Sequence, residues 1–394
     1  MARLGRTVQL GAVLVVLAAM LGPVPGEAAP VRRDADLLRR GTPVNGTTGG
    51  TAEGTTAMAD QDSRQLAGRR IVLSYAGPTP PPGVLQTIRE GRAAGVILFA
   101  ENVTSPAQLA EAVAQLRQAA ADSPAPGELL LMTDQEGGKV RRLPGEPELS
   151  ARRAGLDPDP VGAAARSGVG AAGALADAGL NVNLAPVLDV YDAPGNFIDR
   201  AERSFGQDPA RVGELGSAYL AAQQGLGVAA TAKHFPGLGS AARDQNTDTR
   251  PVTLPVPLDE LRARGEAPYR AAIAAGVRLV MASWAIYPAL DPVRPAGLSP
   301  TVVQGELRGR LGFRGVTVTD ALEAEALAPY GGTGARAVAA AEAGMDLILC
   351  SARDPQQAED ATAALVDALD SGRLDRDAFT AAAARVDALR AALH

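Results

Sequence analysis

The chain has 394 residues, of which 46% are apolar, and a net charge of −6 at neutral pH. That length suits one large domain or two medium ones and allows a sizeable core. The acidic balance, with no Lys/Arg cluster after the first 40 residues, argues against nucleic acid as a partner. The single cysteine, Cys350, excludes an intrachain disulfide, and one cysteine with two histidines cannot alone build a tetrahedral zinc shell.

Residues 1–29 read as an export signal. Arg3 and Arg6 precede the apolar run LGAVLVVLAAML (10–21), and GEAAP offers small residues for cleavage near Ala28. The run is short for a membrane span, which needs about 20 residues. No stable span is expected after cleavage, and an uncleaved anchor is the alternative. The expected location is secreted or extracytoplasmic. No cysteine near the cleavage zone offers a lipoprotein anchor there.

Residues 30–66 are rich in Gly and Thr and nearly free of bulky apolar side chains. Such a stretch buries too little surface to offset chain entropy, so a disordered linker is expected.

From residue 67 to 394 short apolar runs alternate with Ala-rich amphipathic stretches. The runs are RIVLSYAG (70–77), GVILFA (95–100), ELLLMTD (128–134), NVNLAPVLD (181–189), VAATAKHF (228–235), VRLVMASW (277–284), GVTVTD (315–320) and MDLILCS (345–351). Most are continuous rather than alternating, as expected of strands buried on both faces. Helices are predicted between them, capped by Ser105 (105–121), Asp208 (208–225) and Asp354 (354–372). Eight such units predict a single-domain (β/α)₈ TIM-type barrel. An open doubly wound sheet is the rival. No G-x-G-x-x-G follows the first strand, and GVGAAGALADAG (168–179) reads as a helix.

Barrel chemistry sits at the C-terminal ends of strands. Those ends carry Asp134 and Glu136, Asp189, the pair Lys233–His234, Ser283 and Trp284, and Asp320. Any one carboxylate could simply cap a helix, and Asp320 with Glu323 could form a capping box. The Lys–His pair weighs most, because only two of the 38 basic Lys/Arg residues are lysine and only two residues are histidine. Acidic and basic groups mixed in this way suit a polyol, whose hydroxyls both donate and accept. Cys350 reads as a buried small hydrophobe.

The motifs DQEGGKVRRL, NLAPVLDV, ERSFG, KHFPG and GFRGVTVTDALE, in this order, resemble glycoside hydrolase family 3, in particular its single-domain β-N-acetylhexosaminidases. The resemblance covers nearly everything from about residue 68. It implies a carbohydrate substrate bearing terminal β-linked N-acetylglucosamine, often from peptidoglycan fragments, with no metal or organic cofactor. It implies Asp320 as the nucleophile, and Asp134, Arg142, Arg203, Lys233 and His234 as sugar-binding residues. A monomer is expected.

One departure stands out. In these relatives the loop after K-H-F-P-G usually continues with a histidine and then D-S-H, whose Asp–His dyad is the acid/base. Here Leu238 replaces the first histidine, Asp244 matches the dyad aspartate, and Asn246 stands where the dyad histidine would be. Asparagine has no titrating group. Two readings follow. Asp244 or Asp248 acts directly as the acid/base of a retaining glycosidase, or the chain is a catalytically impaired carbohydrate-binding homologue.

Overall fold

A strand that is apolar on both faces needs cover on both sides, and eight of them find it by closing on one another. The protein is described by a computed structural model covering residues 63–125 and 127–393. The expected signal, residues 30–62 of the expected linker, and His394 lie outside the described residues.

Residues 63–68 are helical. Ser63 Oγ donates to Asp370 Oδ1 at 2.8 Å, and Leu66 and Ala67 join the core. The last four residues expected in the linker therefore pack as part of the domain. One leucine in a polar stretch gives no periodicity from which to see this.

In chain order the strands are β1 (Ile71–Leu73), β2 (Gly95–Ile97), β3 (Leu130–Thr133), β4 (Gln135–Gly137), β5 (Val140–Arg141), β6 (Val182–Asn183), β7 (Ala229–Phe235), β8 (Leu279–Ala282), β9 (Val316–Thr319) and β10 (Ile348–Leu349). Eight form one parallel sheet in the order β10-β1-β2-β3-β6-β7-β8-β9, and β4 and β5 make a separate hairpin. Leu347 N donates to Thr317 O at 2.8 Å, and Thr319 N to Leu347 O at 3.0 Å. These bonds join β9 to the entry of β10 and close the ring, so the open-sheet rival fails and the (β/α)₈ barrel holds.

Each strand divides its side chains by turns between two cores. Val72, Ile97, Leu130, Met132, Leu279, Met281 and Val318 fill the barrel. Ile71, Leu73, Val96 and Leu131 pack outward among the helices. The helix Arg376–Ala391 plugs the N-terminal end of the barrel, where Val386, Leu389 and Leu393 complete the interior cluster. Arg390 Nε donates to Glu128 O at 2.7 Å, just ahead of β3, and fixes the plug. The opposite end is left open.

The predicted caps form. Ser105 accepts from Gln108 N, Asp208 from Ala210 N and Asp354 from Gln356 N. Cys350 is buried, and burial pushes its thiol well above the usual range. No helix among the described residues is long and apolar enough to cross a membrane.

The close strand packing makes a test. A Cβ at Gly95 would stand 2.3 Å from Leu130 O on the neighbouring strand. Gly95→Ala should cost about 1–3 kcal/mol by overpacking. Urea unfolding would read this as a lower midpoint at unchanged slope; an unshifted midpoint would refute the packing described.

Candidate active site

At the open, C-terminal end the strand tips surround a cavity of about 490 Å³, within the range of small-ligand sites. Asp134, Arg142, Arg203, Lys233, His234, Asp248 and Asp320 all line it. Seven of the eight residues expected to have a catalytic or binding role are thus brought together. Asp244 is not among them.

The centre is a network of buried charges. Lys233 Nζ lies 2.6 Å from Asp134 Oδ1 and 2.8 Å from Glu136 Oε1. Arg203 grips Glu136 with two bonds, Nε to Oε2 at 2.9 Å and Nη2 to Oε1 at 2.7 Å. Burial alone would raise the Glu136 pKa, but Arg203 and Lys233 outweigh it and hold the carboxyl far below its usual range. Burial alone would likewise lower Lys233, but Asp134 and Glu136 outweigh it, and its pKa is raised. Arg203 is raised in the same way, chiefly by Glu136. All three groups stay ionised. Arg142 stands at the edge, 3.9 Å from Asp134 Oδ2, and its buried Nε has no partner among the described residues.

Local sequence explains each placement. Adjacent strand residues normally point to opposite faces, yet Lys233 and His234 both line the cavity. The register of β7 against β8 shifts between Lys233 and Phe235, and such a bulge re-aims side chains. The β4–β5 hairpin lifts Glu136 into place. Gln135 staples it, with Oε1 accepting from Arg142 N and Leu143 N and Nε2 donating to Leu143 O and Glu146 O. Its turn carries Gly138 at φ +57°, and a Cβ there would meet Ser150. Arg203 follows Glu202, a left-handed residue anchored by Ser150 Oγ.

His234 is oriented by Asp189. Nδ1 lies 2.7 Å from Asp189 Oδ2, and Asp189 Oδ1 accepts from Leu238 N at 2.6 Å. Nε2 is left 3.4 Å from Arg203 Nη2. Glu136 and Asp189 were visible in the sequence as strand-end carboxylates but had no role. The usable signal was their setting, because an acidic residue inside a buried run needs a partner.

Asp320 stands at the tip of β9. Its Oδ1 accepts from Ala321 N at 2.8 Å, and no donor among the described residues takes the other oxygen. Trp284, buried at the end of β8, donates Nε1 to Ala321 O at 2.8 Å and fixes this turn. The capping box fails: no helix starts at Asp320, and Glu323 instead accepts from Ser351 Oγ at 2.8 Å.

The loop carrying Asp244, Asn246 and Asp248 docks beside this turn. Glu325 N donates to Asp248 O at 3.1 Å, and Ala326 N to Thr247 O at 3.0 Å. Asn246 Oδ1 accepts from Asp248 N at 3.0 Å, so Asn246 shapes the turn that presents Asp248. Asp248 sits at the exposed rim, yet its pKa is raised, first by desolvation against the cavity wall and then by the like charge of Asp320. Asp244 is also exposed but does not line the cavity, and its pairing with Arg250 at 2.6 Å lowers its pKa.

The family model for the glycosyl hydrolase family 3 N terminal domain matches residues 82–389. A protein of Arthroderma benhamiae named an uncharacterized secreted glycosyl hydrolase is 45% identical over 329 residues, 83% of this chain and 93% of that protein. A beta-hexosaminidase of Stenotrophomonas maltophilia is 36% identical over 289 residues, 71% of this chain and 82% of that one. The solved structure of a glycoside hydrolase family 3 beta-N-acetylglucosaminidase from Paenibacillus sp. superposes with a TM-score of 0.77 at 37% identity, covering 84% of this chain and 62% of that longer one.

The charge network predicts a pH-dependent stability. Glu136→Gln leaves Arg203 and Lys233 undercompensated and should cost about 3 kcal/mol at pH 7. The folded pKa of Glu136 is depressed, so its contribution is complete above the unfolded value of about 4.3 and falls as the pH drops below it. Urea titrations from pH 3 to 7 should show the wild-type advantage narrowing only at the acid end. A gap independent of pH would contradict the assignment.

Proposed function

The chain belongs to glycosyl hydrolase family 3, and we propose that it is a retaining glycosidase removing terminal β-linked N-acetylglucosamine-type sugars from cell-wall or related glycans. The observation that carries this reading is the pairing of Asp320, with one carboxylate oxygen unbonded, and Asp248, with a raised pKa, on two turns tied together by backbone hydrogen bonds.

Asp134, Arg142, Arg203, Lys233 and His234 grip the hydroxyls of the terminal sugar. Glu136 holds Arg203 and Lys233 in position, and Asp189 orients His234. An Asp320 oxygen attacks the anomeric carbon while protonated Asp248 gives its proton to the departing oxygen. The glycosidic C–O bond breaks and a glycosyl ester to Asp320 forms. Water then attacks the same carbon, Asp248 takes its proton, and the ester opens with net retention. Asp244 does not fit the acid role, since Arg250 favours its charged form. The signal-like residues 1–29 and the name of the Arthroderma relative support work outside the cytoplasm.

Asn246 favours a second reading. With no titrating group where relatives carry a histidine, the protein would be a catalytically impaired carbohydrate-binding homologue.

Turnover assays separate the two. The wild type should release the aryl group from an activated aryl β-N-acetylglucosaminide and also cleave a natural disaccharide. Asp320→Asn should abolish both reactions with the fold intact by circular dichroism. Sugar binding with no release at long times would favour the second reading.

Asp248→Asn should lower disaccharide cleavage by about 10²- to 10⁴-fold, the usual cost of a lost general acid, and spare the activated aryl substrate more. Burial, and then the like charge of Asp320, raise the Asp248 pKa, so wild-type kcat/KM should fall as the pH rises through it and this proton is lost. That limb should vanish in Asp248→Asn; its persistence would assign the acid elsewhere.

A further inference from the structure

The groups assigned so far come from β3 and β6 to β9 and from the loops that follow them. β10, β1 and β2 remain. In ring order, β10 lies across the barrel from the gripping cluster on β3 to β7, and next to Asp320 on β9. Arg353, beyond the end of β10, and Phe99, beyond the end of β2, both line the cavity in this sector.

The two side chains are stacked. The Arg353 guanidinium carbon stands 4.3 Å from the centre of the Phe99 ring, a cation–π contact. Its Nε lies 3.3 Å from Glu101 Oε1. No protein oxygen among the described residues takes either Nη group. Arg353 also has φ +62°, a left-handed conformation uncommon outside glycine and worth tracing to a cause.

Buried polar groups hold both partners. Ser74 Oγ accepts from Arg353 N at 2.8 Å and donates to Cys350 O at 2.9 Å. Asn102 Oδ1 accepts from Phe99 N at 2.7 Å, and its Nδ2 donates to Tyr75 O and Gly77 O. Ser74 and Asn102 are fully buried. Arg353 is exposed, but the Ser74 bond fixes its backbone, and the Phe99 stack and Glu101 direct its free donors to the cavity edge.

We infer that Arg353 binds the sugar on the leaving-group side of the scissile bond. The inference rests on the glycosidase reading above. A terminal sugar held by its distal hydroxyls at β3 to β7, with its anomeric carbon over Asp320 on β9, directs its glycosidic bond toward β10. A second ring there meets the free Nη groups, whose planar donors suit hydroxyl and ring-substituent oxygens. The substrate class is then a glycan with a further sugar on the leaving side, rather than a glycoside of a small alcohol. Phe99 and Glu101 act through Arg353 as positioning residues.

The test measures binding, so it does not need turnover. Titration calorimetry in the Asp320→Asn background compares N-acetylglucosamine with its β-1,4-linked disaccharide. The disaccharide should bind more tightly. Arg353→Asn, chosen because asparagine tolerates the left-handed backbone, should weaken disaccharide binding by about 10-fold or more, as expected for a hydrogen bond from a charged group. The disaccharide-to-monosaccharide affinity ratio should collapse accordingly. Arg353→Gly is the second variant should the first fold poorly. An unchanged ratio, or affinities falling in step, overturns the inference and leaves the glycosidase reading standing. Failure of both sugars to bind even with Arg353 present overturns that reading and this inference together.

Discussion

Lys233 is the constraint around which the site is arranged. A lone ammonium in so enclosed a place would lose its proton or stay hydrated. Here two carboxylates hold it charged, and one of them, Glu136, is shared with Arg203. The four residues come from β7, from the segment leaving β3 and from the turn after residue 201. None can shift without leaving a buried charge uncompensated. Desolvation makes such a network a poor source of net stability. Its value lies in rigidity: its donors and acceptors are fixed before any ligand arrives, so little ordering remains to be done on binding.

A second coupling follows from Asp248 and Asp320. Part of the rise in the Asp248 pKa comes from the negative charge of Asp320. In a retaining reaction that charge disappears when the ester forms. On the proposed mechanism the part of the rise that comes from this repulsion, added to that of desolvation, is then removed, and the Asp248 pKa falls just when a base is needed to activate water. The ester's hydrolysis restores the charge and with it the acid. One like-charge pair can thus switch a single carboxyl between two roles, without a histidine. Asn246 fits this arrangement as a turn residue, its side chain accepting from the backbone N–H of Asp248.

The barrel was legible because its signal is coarse. Eight apolar runs, each followed by a helix-forming stretch, leave few ways to bury both faces. The strand-end rule then pointed to five cavity residues, Asp134, Glu136, Lys233, His234 and Asp320, because polar groups at the tips of apolar strands stand out, whereas Arg142, Arg203 and Asp248 entered through the family resemblance. What stayed hidden depends on geometry beyond local pattern. Asp244 and Asp248 are four residues apart in one polar loop, and only the docking of Thr247 and Asp248 onto Glu325 and Ala326 separates the residue that lines the cavity from the one that does not. Glu323 could not be told from a capping residue until Ser351, in the segment after β10, was seen to occupy it. Arg353 is one of many arginines, and nothing nearby in sequence marks its stack on Phe99.

Two buried ionic clusters at opposite ends of the barrel show why one end is a site and the other is not. At the plugged end Asp346 is fully buried, and both of its oxygens are doubly occupied. Oδ1 accepts from Arg385 Nε and Nη2 at 3.0 and 2.7 Å, and Oδ2 from Arg308 Nη2 at 2.5 Å and Thr317 N at 2.8 Å. Nothing is left for a ligand, and the chemistry is spent on holding the plug. At the open end, among the described residues, Asp134 Oδ2 has only Arg142 at 3.9 Å, and Arg142 Nε has no partner. The same residue types with valences unfilled form a binding surface, because an incoming hydroxyl can complete what the protein leaves incomplete. Function here is a matter of which hydrogen bonds the fold declines to make for itself.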